Sequence, residues 1–132
     1  MLLIDTNVLI QIDQTLLTDE DLGLSTIALA ELLFGIERVD DPRERRRRIT
    51  QLARIESLLK TTWLPYDRAA ARSYGRLAAI VAKTRPSHAR SKDTMLAAHA
   101  HSLGASIVTL NPKDFELVAD EVEIIVPELR AP

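Results

Sequence analysis

Four carboxylates in this chain stand where a plain globular fold has no need of them. Asp5 ends the apolar run Leu2 to Ile4, Glu31 interrupts IALAELLFG, Asp93 opens DTMLAAHA, and Asp114 follows IVTL across the Asn111-Pro112 turn. Taken singly, each has an ordinary reading. Asp5 and Asp114 suit turns or caps. Glu31 suits the border of a helix face. Asp93 suits a first helical turn, where the macrodipole favours negative charge. Taken together they raise a different chemistry. Two carboxylates ~4 Å apart repel by roughly 4 kcal/mol at an effective dielectric of about 20. Proteins relieve such repulsion by protonating one acid or by binding a cation. The chain has no cysteine, so an all-oxygen site points to Mg2+ or Mn2+. Sites of that kind serve phosphoryl chemistry, where the ion activates a water and neutralises charge on the phosphate.

Periodicity outlines the elements that must carry these acids. Leu2 to Ile4 reads as a short strand buried on both faces of a parallel sheet, and Val8 to Ile12 as a helical turn or two. After a polar stretch, Ser25 caps a helix in which Ile27, Ala30, Leu33 and Phe34 recur at helical spacing and Gly35 marks a weak point or bend. Asp41, Pro42 and Glu44 have the order of a capped start, followed by a stripe of Ile49, Leu52, Ile55 and Leu59. Trp63 to Tyr66 reads as a short strand, and Asp67 caps a helix with Tyr74, Leu77, Ala78 and Val81 on one side. Thr84 to Ser91 is a loop, and Asp93 to Leu103 a helix stopped by Gly104. Ala105 to Leu110 and Val122 to Val126 read as strands. Strands alternating with helices argue one α/β domain over residues 1–132, with a mostly parallel sheet. In such sheets ligands gather outside the carboxyl ends of the strands. Asp5 and the turn from Asn111 to Asp114 belong at that edge.

The totals bound the reading further. A chain of 132 residues, 46% hydrophobic and 27% charged, suits one soluble domain. With no cysteine there is no disulfide, thiolate nucleophile or thiolate metal site. No apolar run approaches the roughly 20 residues that span a bilayer, and no basic leader precedes the first apolar run. The expectation is a cytoplasmic protein with no membrane contact. The net charge of −2 does not announce a nucleic-acid binder. Basic residues are nonetheless clustered. Arg43 to Arg48 opens one helix, which disperses the arginines around its circumference. That cluster reads as a solvated face, or as contacts to RNA or an acidic partner segment. Arg85, His88, Arg90 and Lys92 run directly into Asp93 and are the better candidates for RNA phosphates. His99 and His101 lie two apart on a helix, point to different faces and read as structural. One Trp, two Tyr and two Phe make no stacking platform for single-stranded RNA. Trp63 and Phe115 read as core.

LLIDTNVLI, STIALAELLFG and SKDTMLAAHAHSLGASIVTLNPKDF, in this order and over nearly the whole chain, resemble the PIN-domain family, in particular the VapC-type toxins of bacterial toxin–antitoxin pairs. The resemblance implies a three-layer α/β/α sandwich around a short, mostly parallel sheet. It implies a Mg2+- or Mn2+-dependent endoribonuclease, a homodimer held inactive by a cognate antitoxin. By motif match, Asp5, Glu31 and Asp93 correspond to the family's metal-binding acids. The fourth position falls to Asp114, with Asn111 as a polar supporter, although some relatives carry their acid where Asn111 stands. Thr6 and Asn7 match positions that steady the site by hydrogen bonds. The resemblance further suggests an apolar groove on the helices of Ile27 to Phe34 and Ile49 to Leu59 as the antitoxin's seat. Three other readings share parts of this pattern. A PIN fold retained as an inactive binding module would show the same layout. A haloacid-dehalogenase-like phosphatase needs a second acid where Asn7 stands. A phosphoacceptor receiver domain needs an acidic pair near the first strand.

Overall fold

The computed structural model describes residues 1–17 and 21–131. In chain order the elements are β1 (Leu2–Ile4), α1 (Thr6–Ile10), β2 (Thr15–Leu16), β3 (Leu22–Ser25), α2 (Thr26–Glu37), α3 (Pro42–Leu59), β4 (Trp63–Leu64), α4 (Arg68–Ala82), α5 (Lys92–Leu103), β5 (Ser106–Val108), β6 (Ile124–Ile125) and β7 (Glu128–Leu129). The apolar run at the start of the chain is the central strand. β1 pairs in parallel with β3 on one side and β5 on the other, and the sheet order is β4-β3-β1-β5-β6, parallel throughout. β2 and β7 form a separate antiparallel pair.

Alternation along the strands divides the core into two layers. Leu3 and Ile107 face α4 and α5, packing with Leu77, Val81, Leu96 and Ala97. Leu2, Ile4 and Val108 face the other way, onto Val8, Leu9, Ala28 and Ile55 of α1, α2 and α3. The result is the three-layer sandwich expected from the sequence. Three helix starts are capped as expected: Ser25 accepts from Ile27, Asp41 from Arg43 and Asp67 from Ala70; α5 is capped by Ser91, which accepts from Thr94. Gly104 closes α5 in the left-handed region at φ 63°, where a glycine carries no Cβ penalty.

Several expectations fail, each for a physical reason. β3 was read as part of a polar connection. It is a strand whose Gly23 leaves room for close packing: a Cβ there would meet Met1 Sδ at 2.9 Å and the Cδ1 atoms of Leu3 and Leu64 at 3.3 Å. Gly35 does not bend α2, which runs unbroken to Glu37. The regular stripe on α2 faces outward, with Leu33 45% and Phe34 64% exposed, while Ala28 and Ile36 are the buried residues. Glu44 does not return to the helix end as a capping box requires; it binds Arg47 and Arg48 instead. Trp63 is half-buried rather than core, its Nε1 donating to Glu56 at 2.9 Å. Phe115 is fully buried.

Candidate active site

Asp5 leaves β1 at the point where the chain's next strands diverge to opposite sides of it, and it caps α1. Its Oδ1 accepts from the Thr6 amide at 2.8 Å, with the Thr6 hydroxyl at 3.4 Å. Its Oδ2 accepts from Thr109 Oγ1 at 2.8 Å. The carboxylate is 2% exposed. Thr109, which directly follows β5, is fully buried and ties the neighbouring strand ends together. Its hydroxyl also accepts from Asn7 Nδ2 at 3.2 Å and from the Asn111 amide at 3.1 Å. Asn7 Oδ1 accepts from the Leu110 amide at 3.1 Å. Asn7 therefore serves as a strut between two strand ends, while Thr6 holds the neighbouring Asp5 carboxylate. Thr109 is a site residue that the sequence does not mark. A threonine after an apolar strand carries no signal of its own until its partner strand is known.

Glu31 reaches the same edge from α2, and Asp93 from the first turn of α5. Between them lies the ammonium of Lys92, 2.7 Å from Glu31 Oε2 and 3.3 Å from Asp93 Oδ1. Lys92, a candidate for RNA phosphates, is paired with these two acids and remains half exposed. Burial lowers the Lys92 pKa, but Glu31, Asp93 and Asp5 together more than offset it, and the net shift is upward. Asp93 is pushed above the usual carboxylate range, first by burial and then by the charges of Asp114 and Asp5, against the opposing pull of Lys92. The acids are thus close enough to act on one another. Asp114 is exposed on the short helical turn Pro112–Val118, and Asn111 Nδ2 donates to its Oδ2 at 2.9 Å. That bond orients the Asp114 side chain.

The donor set suits a hard divalent cation: oxygen ligands only, several of them charged. Glu31 Oε2 is buried, and the group it faces is the Lys92 ammonium at 2.7 Å, so this oxygen is placed to take a cation. Among the described residues, no group of three or more His, Asp or Glu side chains already closes on one point as metal ligands do. Lys92 accounts for this arrangement, since its ammonium supplies the positive charge between Glu31 and Asp93.

A cleft opens beside Asp93 and Asp114, and Arg85, His88 and Lys113 line it. Two of the predicted basic residues therefore flank the acids. Arg90 is exposed and does not line the cleft. Lys113 was not predicted there; it reaches the cleft because the turn after β5 folds back over α5. Arg85 lies 3.7 Å from Glu116, an exposed pair of little energetic weight. His99 and His101 are structural, as expected. His99 Nδ1 bonds Ser25 Oγ at 2.8 Å and His101 Nδ1 bonds Ser73 Oγ at 2.8 Å.

Comparison with known proteins places this arrangement. A profile of the PIN domain matches residues 2–121. A protein of Rickettsia bellii called ribonuclease VapC is 29% identical over 132 residues, covering 96% of each chain. A protein of Shigella flexneri called tRNA(fMet)-specific endonuclease VapC is 37% identical over 97 residues, which are 72% of this chain and 67% of that one. Among solved structures, VapBC-5 of Mycobacterium tuberculosis, described as a member of the VapBC family of toxin–antitoxin systems, superposes with a TM-score of 0.70. It is 27% identical and covers 94% of this chain and 96% of its own.

Proposed function

This chain belongs to the PIN domain family, and on that premise we propose that it is a Mg2+- or Mn2+-dependent endoribonuclease, the toxin of a toxin–antitoxin pair. The observation that carries the reading is the Lys92 ammonium set between Glu31 of α2 and Asp93 of α5, with Asp5 and Asp114 near enough for their charges to act on Asp93, at the carboxyl edge of the parallel sheet. The names of the Rickettsia and Shigella relatives support ribonuclease activity, and the VapBC likeness supports an antitoxin partner. The chain acts as a single nuclease domain and pairs as a homodimer. Among the described residues no helix is long and apolar enough to cross a membrane.

The reaction is hydrolysis of an RNA phosphodiester, in which a water oxygen bonds to phosphorus and one ester oxygen leaves. Asp5, Glu31, Asp93 and Asp114 are the residues that would hold the ion. When bound, the ion supplies an activated water and charge neutralisation at the phosphate. The chain's own residues do the rest. Thr6 and Thr109 hold both Asp5 oxygens, so that carboxylate is fixed before substrate arrives. Asn7 locks β1 to the β5 turn, and Asn111 orients Asp114. Arg85, His88 and Lys113 offer the cleft wall cationic and hydrogen-bonding groups for the RNA backbone. The phosphatase alternative loses its second acid, because Asn7 stands at that position and bonds backbone and Thr109.

Two measurements test the reading. RNA cleavage is expected in Mg2+ or Mn2+, to stop with a chelator, and to fall to background in Glu31→Gln and Asp93→Asn. Mg2+ is expected to raise the melting temperature, and Asp5→Asn to lose most of that gain. Unchanged cleavage by these variants sinks the assignment, and an inactive wild type favours the binding-module alternative.

A further inference from the structure

The carboxylate cluster carries a cation of its own. Lys92 is the first residue of α5, and the chain around it is firmly held. Ser91 Oγ accepts from the Thr94 amide at 3.2 Å, and Thr94 Oγ1 donates to the His88 carbonyl at 2.9 Å. From that anchored start the Lys92 side chain crosses to α2 and sets its ammonium between Glu31 and Asp93. The Lys92 side chain is 49% exposed, whereas those of Glu31 and Asp93 are 30% and 23% exposed. The acids are the more buried partners, and the lysine has open solvent to withdraw into.

We propose that Lys92 is the resident counter-ion of the carboxylate cluster and that a divalent ion must displace its ammonium to enter. The inference rests on the metal-dependent reading above. An ammonium 2.7 Å from Glu31 Oε2 and a divalent ion held by the same oxygen repel each other and compete for one place. Lys92 keeps the metal-free cluster from flying apart, and the same contact weakens the cluster's affinity for metal. Lys92 is therefore a residue that sets metal affinity, whereas Lys113 lines the cleft beside Asp93 and Asp114 without an ion pair to either.

The test is direct Mn2+ binding to the metal-free full chain, read as the electron paramagnetic resonance signal of free Mn2+. Lys92→Met is expected to bind about tenfold tighter than wild type. Lys92→Arg, which keeps the cation, is expected to stay near wild type, and Lys113→Met to shift affinity less than Lys92→Met. In the absence of metal, Lys92→Met is expected to melt below wild type and to gain more from added Mn2+. Lys92→Gln guards against a variant that fails to fold, and is expected to tighten binding in the same sense. Equal or weaker binding by the Lys92→Met and Lys92→Gln proteins, or an equal gain in Lys113→Met, overturns the proposal while leaving the metal site standing. If wild type itself binds no Mn2+, the metal-dependent reading falls and this inference falls with it.

Discussion

Thr109 shows how much of the site depends on groups that are not acids. One buried hydroxyl donates to Asp5 and accepts from Asn7 and from the Asn111 amide. Thr109→Val keeps the shape and removes those bonds, leaving buried polar atoms unpaired. It is expected to cost about 1–3 kcal/mol in urea denaturation. Cleavage is expected to fall with it, because the Asp5 carboxylate loses its tether. Thr109→Ser restores the hydroxyl and is expected to recover much of both. A Thr109→Val protein as stable as wild type would mean that water takes over these bonds. At this scale the acids were legible because a carboxylate after an apolar strand or inside an apolar helix is out of place. The pairing of Lys92 with Glu31 and the role of Thr109 were not, because those partners lie far away in sequence.

Among the elements, α5 is the one whose placement the rest depends on. It carries Asp93 at its start, stops at Gly104 and buries His99 in its middle. His99 bonds Ser25, the residue that caps α2, so the imidazole links the two helices that present Glu31 and Asp93. Burial lowers the His99 pKa, with a smaller upward pull from Asp67. The folded chain then holds fewer protons than the unfolded one below the ordinary histidine pKa of about 6.5. Stability from this group is full above that pH and is lost as pH falls through the lower folded value. Melting temperatures taken from pH 7 to pH 5 are expected to decline, and His99→Gln to flatten part of that decline. An identical slope in both proteins would place the pH dependence elsewhere. The end of α5 was legible from Gly104, and its start to within one residue from Asp93. β3 was not legible, because a four-residue strand containing glycine has no periodicity to reveal it.

At the scale of the whole molecule, the sheet sets β1 at the centre, and the layers on its two faces have different tasks. α4 and α5 cover one face, and α5 brings Asp93 to the candidate site that Glu31 reaches from α2. α2 and α3 cover the other and leave Leu33, Phe34 and Ile49 exposed at 45%, 64% and 48%. Between them runs a cleft lined by Ile10, Leu32, Leu52 and Ile55, with Arg47 and Arg48 at its edge. This is the face suited to an antitoxin segment with an apolar stripe. Phe34→Asp is expected to weaken binding of the protein encoded beside this chain by about tenfold or more. Its effect on RNA cleavage is expected to be small, since Phe34 lies on the outer side of α2. Antitoxin binding unchanged by the substitution would move the partner to another surface.

The α/β class, the central strand and three of the capped helix starts were readable from residue types and short-range spacing. Local signals suffice there, because caps, turns and strand ends are decided by neighbours along the chain. The tertiary structure decided the sheet order, the outward turn of the α2 stripe, the Thr109 struts and the position of the Lys92 ammonium. Each of those depends on which surfaces end up facing each other. An apolar helix stripe looks the same in sequence whether it is core or docking surface. A lysine likewise looks the same whether it is bathed in water or held between two carboxylates.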